Sequence, residues 1–120
     1  MSERTIYDGM DLHTAMQEKL AELEKAHNDM MSSGFAKATA ERDYKMILNK
    51  YEMLLKAQGY SASAIDKLIY GVDEVAHARY QRDVAEVVYD VTKERINCTK
   101  LEIRILENQI SREYGKYGVI

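Results

Sequence analysis

The sequence has no proline and no tryptophan, and it has only one phenylalanine, one cysteine and six glycines. Few residues are therefore available for tight turns, and a β-rich fold needs turn residues and β-branched runs. Strong helix formers such as Ala, Leu, Glu, Lys and Met are abundant instead. The composition predicts an all-α protein, and 120 residues suffice for one domain with a modest core. A single cysteine excludes an intrachain disulfide, and Cys98 is predicted to be a small buried hydrophobe.

Several functional signatures are also missing. We find no Gly-rich phosphate loop, no nucleophile elbow and no Cys–His arrangement on a strand scaffold, so we predict a non-enzymatic protein without a cofactor. The net charge of -3 gives no global reason to bind nucleic acid or an anionic membrane. No apolar run approaches the roughly 20 residues that cross a bilayer, and the first residues show no signal core. The expected location is therefore the cytoplasm, with no membrane partner.

Apolar periodicity organises the chain into helices. We predict a flexible leader over residues 1–10 and a single all-α domain over residues 11–120. Ser32-Ser33-Gly34 is predicted to break the first helix from the second and so to form a helical hairpin. Gly59 is predicted to stop the second helix, and Ser63 to cap the third. The predicted helices span residues 11–31, 36–58, 62–70 and 73–114.

The last helix, 73–114, contains no Gly and no Pro and carries two apolar stripes. The first stripe comprises Tyr80, Val84, Val87, Val91, Cys98, Leu101 and Ile105. The second recurs every seventh residue, with Leu106 beside it, on the nearly opposite face. A helix that is apolar on two faces is buried on two sides, so we predict a fold completed by homo-oligomerisation. The predicted oligomer interface comprises Tyr89, Ile96, Ile103, Leu106, Ile110 and Tyr117. A monomer in which the other helices cover both faces is the alternative.

Two Glu-x-x-His motifs are the only metal-binding pattern in the sequence. They are Glu24 with His27, and Glu74 with His77. Di-iron helical bundles use two such motifs together with one Glu from each of two further helices. A fourth helix with a suitable Glu is missing from this chain, so we predict no metal site. The di-metal bundle stays a minor alternative.

A family resemblance adds a functional hypothesis. The supporting residues are Glu41-Arg-Asp-Tyr44, Ile65-Asp-Lys-Leu-Ile-Tyr-Gly71, Tyr80-Gln-Arg-Asp-Val-Ala85, Ile96-Asn97, Lys100-Leu-Glu-Ile-Arg-Ile-Leu-Glu107, Gln109-Ile110 and Arg112-Glu-Tyr-Gly115. Over residues 41–115 the chain resembles a family of small uncharacterised helical proteins encoded by phages and prophages of Gram-positive bacteria. The family motif more often ends in Arg-Glu-Trp-Gly, so Tyr114 is a departure. Such proteins tend to be encoded near single-strand-binding and recombination genes.

The resemblance implies an accessory role in phage recombination or replication, inside the host bacterium. Together with the helical pattern, it favours a non-enzymatic protein-interaction module that contacts itself and a phage or host protein of DNA metabolism or defence. An anti-defence protein that blocks a host nuclease or sequesters a nucleotide signal is the alternative. The resemblance identifies no catalytic or ligand-binding residue in this sequence.

Overall fold

The fold is all-α in the computed structural model, which describes residues 9–116. The helices are α1 (Gly9–Ala57), α2 (Ala62–Leu68) and α3 (Asp73–Lys116), with a 3-10 turn, η1, at Ile69–Gly71. No strand occurs within these residues, so the predicted fold class is confirmed. The start of the predicted leader, residues 1–8, and Tyr117 of the predicted interface lie outside the described residues.

The predicted break at Ser32-Ser33-Gly34 is wrong, because α1 is one continuous helix through these residues. The small residues serve helix packing instead of a turn. Ser33 is buried, and its hydroxyl donates a hydrogen bond to the carbonyl of Met30 at 3.1 Å. Gly34 lies against the ring of Tyr89, to which an added Cβ would come within 3.6 Å. Small residues occur both in turns and at contacts between helices. The composition of Ser32-Ser33-Gly34 therefore does not distinguish a turn from a contact.

The connection between α1 and α3 is short and well capped. Gly59 has a φ of 93°, a left-handed conformation that favours glycine, and it ends α1 close to the predicted position. The cap of α2 is Ser61 and not the predicted Ser63, since the Ser61 hydroxyl accepts a hydrogen bond from the Ala64 amide at 3.3 Å. The predicted third helix is thus α2 followed by η1.

The contacts of the chain group into two compact units. Unit 1 consists of the described residues of Met1–Asp29 and Thr92–Ile120, and unit 2 of Met30–Val91. The single domain predicted over residues 11–120 stays a prediction.

In unit 1, α1 and α3 run antiparallel. Lys19 pairs with Glu102 at 3.3 Å, and ten residues further along α1 Asp29 accepts a hydrogen bond from Arg95 at 2.6 Å. Residue numbers therefore rise along α1 while they fall along α3. The buried residues of this unit are Leu12, Ala26, Thr92, Ile96, Thr99 and Leu106.

Unit 2 has the same antiparallel arrangement and adds α2 and η1. The Lys37 ammonium lies 4.5 Å from the ring centre of Tyr89, and the Arg82 guanidinium lies 4.5 Å from that of Tyr44. Both contacts are within cation–π range. The core of the unit comprises Tyr44, Ile65, Ile69, Val75 and Ala78, with Ile47, Leu48, Tyr51, Leu55 and Val72 packed against it.

We predict that Gly34→Ala stabilises the protein. Glycine inside a helix costs up to about 1 kcal/mol relative to alanine. The new Cβ would make an ordinary van der Waals contact with Tyr89 at 3.6 Å. Urea unfolding should therefore show a higher free energy of unfolding for the variant.

The matched control is Gly59→Ala, which should destabilise by about 1 kcal/mol because of its positive φ. If Gly34→Ala destabilised as Gly59→Ala does, α1 would turn at Gly34 and the continuous helix would be wrong.

Candidate functional site

The structure reverses the two faces of α3 that the sequence had assigned. The predicted oligomer interface lies on the face that packs inside the chain. Ile96 and Leu106 are buried there, and Tyr89, Ile103 and Ile110 are half-buried. The chain itself covers Ile96 and Leu106, so these two are corrected to packing positions, while an interface role of the half-buried residues stays a prediction.

The first apolar stripe of α3 is the exposed one. Its members in unit 2 are Tyr80, Val84, Val87 and Val91, together with the neighbouring Val88, and each is 40–64% exposed. In unit 1, Leu101 and Ile105 are exposed as well. Cys98 is exposed and not the small buried residue that was predicted. Surface apolar residues are common singly, but five within twelve residues of one helix form a patch that needs an explanation.

A groove between α1 and α3 lies beside this patch in unit 2. Its volume is about 470 Å³. Three alanines along the groove, Ala36 and Ala40 on α1 and Ala78 on α3, leave the space open because their side chains are too short to fill it. The remaining lining residues are Phe35, Thr39, Asp43, Ile47, His77 and Gln81.

Helical geometry joins the groove and the valines into one surface. Val84 and Val91 lie seven and fourteen residues after His77, and Val88 lies seven after Gln81, so they continue the two rows that line the groove. Phe35 stands at the groove on α1 with 70% of its surface exposed. We call this surface the open face. It comprises the groove together with Phe35, Tyr80, Val84, Val87, Val88 and Val91.

The opposite side of unit 2 is already covered. Ile65 of α2 and Ile69 of η1 are both only 3% exposed, and Leu48 packs against the cluster that they form. Asp43, which lines the groove, lies five residues before Leu48 and therefore about 140° around α1 from it. The chain thus closes one side of its α1–α3 pair with its own short helix and leaves the other side open.

The charges near the open face are largely compensated. Asp43 accepts hydrogen bonds from Arg42 at 3.0 and 3.2 Å, and Asp83 accepts from Arg82 at 2.9 and 3.1 Å. The hydrogen bond to Asp83 raises the pKa of the Arg82 guanidinium, which therefore stays a cation. Residues 30–91 contain eight Lys or Arg and nine Asp or Glu, a net charge of -1. The open face is an apolar surface without a strong field of either sign.

The four candidate metal ligands are all exposed, and nothing gathers them into a site. Glu24 and His27 lie in unit 1, and His27 is not on the buried face, where the neighbouring Ala26 is instead 1% exposed. In unit 2, Glu74 accepts a hydrogen bond from Tyr51 and pairs with Lys50, while His77 lines the groove. In the described part of the chain, no three His, Cys, Asp or Glu side chains come together as a metal site would require.

Sequence reasoning missed Phe35 and the alanines of the groove. Phe35 follows the predicted turn at Ser32-Ser33-Gly34 and therefore belongs to no predicted buried stripe. The feature that distinguishes Phe35 in the sequence is that the chain has no other phenylalanine.

Comparison with known protein families, curated proteins and solved structures finds no match to this chain. None of the helices within residues 9–116 combines the length and apolarity that crossing a membrane demands. The site must therefore be interpreted from its own geometry.

The role of Glu74 can be tested through its hydrogen bond with Tyr51. The Tyr51 hydroxyl donates to the Glu74 carboxylate at 2.6 Å, and this bond raises the pKa of Tyr51 above its usual value of 10.0. The bond therefore contributes stability that is fully present below pH 10.0 and is lost as the pH rises through the folded-state pKa. We predict that Tyr51→Phe lowers the free energy of unfolding at neutral pH and that its gap to the wild type closes in alkali.

Denaturant unfolding over a pH series measures this gap. Tyr60→Phe, at a tyrosine 46% exposed outside this pair, is the control and should show a smaller gap. A Tyr51→Phe gap that stays constant into alkali would show that the hydrogen bond does not contribute.

Proposed function

We propose that the protein is a non-enzymatic helical protein-interaction module whose working surface is the open face of unit 2. The observation that carries the proposal is the exposure of the more apolar side of α3 at Tyr80, Val84, Val87, Val88 and Val91. A chain that packs the half-buried Arg82 and the buried Thr92 inward, and exposes a face built from valines, keeps the valines available for another molecule.

The size of the open face supports the same conclusion. From their exposed fractions, its apolar side chains present on the order of 600 Å², at the upper end of the roughly 300–600 Å² of the largest patch on typical monomers. The largest apolar patch of a monomer is often a functional surface. Binding of a helix into an apolar groove is a common mode of recognition between proteins. The lack of excess charge near the face favours a protein partner over nucleic acid.

The family resemblance supplies the setting of the proposal. We propose an accessory protein of phage recombination or replication that acts by contact with other proteins, in the host cytoplasm. The open face would serve either by direct contact or through the assembly that it builds. No observation on the structure favours the anti-defence alternative over this role.

The proposal is tested with Val87→Lys. Val87 is 61% exposed, and a lysine there lies four residues after Asp83 and can pair with it, so the helix should be retained. We predict that binding to the single-strand-binding protein or the recombinase of the same phage or host weakens by at least about tenfold, the effect of losing one interface anchor. Biolayer interferometry on purified proteins measures the affinity.

Met53→Lys is the control, because Met53 is 64% exposed but lies outside the groove lining. It should bind as the wild type does. If the wild type bound neither protein, or if both variants bound equally to the wild type, the proposed role of the open face would be wrong.

A further inference from the structure

We infer that the open face binds a second copy of this chain, with Phe35 of each copy seated in the groove of the other. The inference rests on the proposed function, since it names the partner of the same surface. It commits to a symmetric pair in which Phe35 contacts Ala36 and Ala40 of its partner.

The first argument is the shape of the face. A two-fold interface uses the same patch on both copies, so that patch must carry a projection and a hollow that fit each other. The open face has both. Phe35 projects with 70% of its surface exposed, and the groove beside it is floored by alanines. A cavity of about 150 Å³ can hold a benzene ring, so a groove of about 470 Å³ has room for a phenylalanine ring and a neighbouring side chain.

The second argument is charge. Two copies of one surface repel each other if that surface carries an excess of one sign. Unit 2 has a net charge of -1, and Asp43 and Asp83 beside the open face are each paired with the preceding arginine. Electrostatics therefore does not oppose a second copy.

The third argument is area. If two copies bury their open faces against each other, the total area removed from water is on the order of 1,200 Å², the lower end of the range for specific, stable interfaces. A partner that offered no apolar surface of its own would bury less apolar area on the same face. The second copy offers a matching apolar patch by symmetry.

The experiment exploits the two sides of the proposed contact. Phe35→Lys places a cation on the projection, and Ala36→Glu places an anion in the groove; both positions are exposed, so the fold should be retained. In a mixed pair, Lys at position 35 of one chain meets Glu at position 36 of the other. The other contact of the mixed pair is native, because Phe35 of the second chain meets Ala36 of the first.

Sedimentation velocity and native mass spectrometry on the full chain should show a wild-type dimer. Each variant alone should weaken dimerisation by at least about tenfold, since each loses a central anchor twice. An equimolar mixture should recover a dimer of one chain of each kind. The control Met53→Glu, at a site 64% exposed outside the groove lining, should dimerise as the wild type does. Circular dichroism checks that every variant is helical.

Three results would overturn the inference. They are a wild type that stays monomeric at every concentration, a dimer unaffected by both variants, and a mixture that does not recover the pair. A monomer that still bound a recombination protein through Val87 would refute the second copy and leave the proposed function standing. A dimer with mixed-pair recovery that bound no recombination protein would support the second copy and refute the accessory role.

Discussion

Cations stacked on tyrosine rings lie along the face of α3 that packs against α1 in unit 2. Arg82 lies over Tyr44 and Lys37 over Tyr89, each 4.5 Å from the ring centre. Such contacts contribute about 0.5–1 kcal/mol each at exposed sites and about 2 kcal/mol when water is excluded. They also require long cationic side chains at the contact between α1 and α3. Small residues such as Ala78 are then needed at the neighbouring positions. With this face packed against α1, the valines on the other side of α3 are exposed.

Much of the fold could be predicted from the sequence because it depends on local properties. The helix content follows from the composition. The start of α3 at Asp73 follows from Gly71, which interrupts the helical pattern just before it. The stop near Gly59 follows from the conformational freedom of glycine. The predicted break at Gly34 failed because a helix tolerates one glycine at a cost of up to about 1 kcal/mol, and the packing that outweighs this cost is not visible in the sequence.

The candidate site could not be predicted in the same way. The hydropathy of α3 favours burial of the stripe that contains Val84, Val87 and Val91, and the structure exposes it. Hydrophobicity alone does not identify the face of α3 that packs inward, because Arg82 and Thr92 belong to it. Arg82 is suited to this face by Tyr44 on α1, and a partner in space is not visible in one sequence. Both stripes were found, but their roles were reversed.

The short α2–η1 connection has a consequence for the order in which contacts can form. The contact between Tyr51 and Glu74 closes 23 residues of chain, whereas that between Asp29 and Arg95 closes 66. Closing the longer loop first would cost about 1 kcal/mol more in chain entropy, because this cost grows with the logarithm of loop length. Unit 2 therefore contains the tertiary contacts with the lowest entropic barrier. By joining the ends of α1 and α3, the connector lets the contacts next to it in unit 2 form at the smaller entropy cost of a short loop.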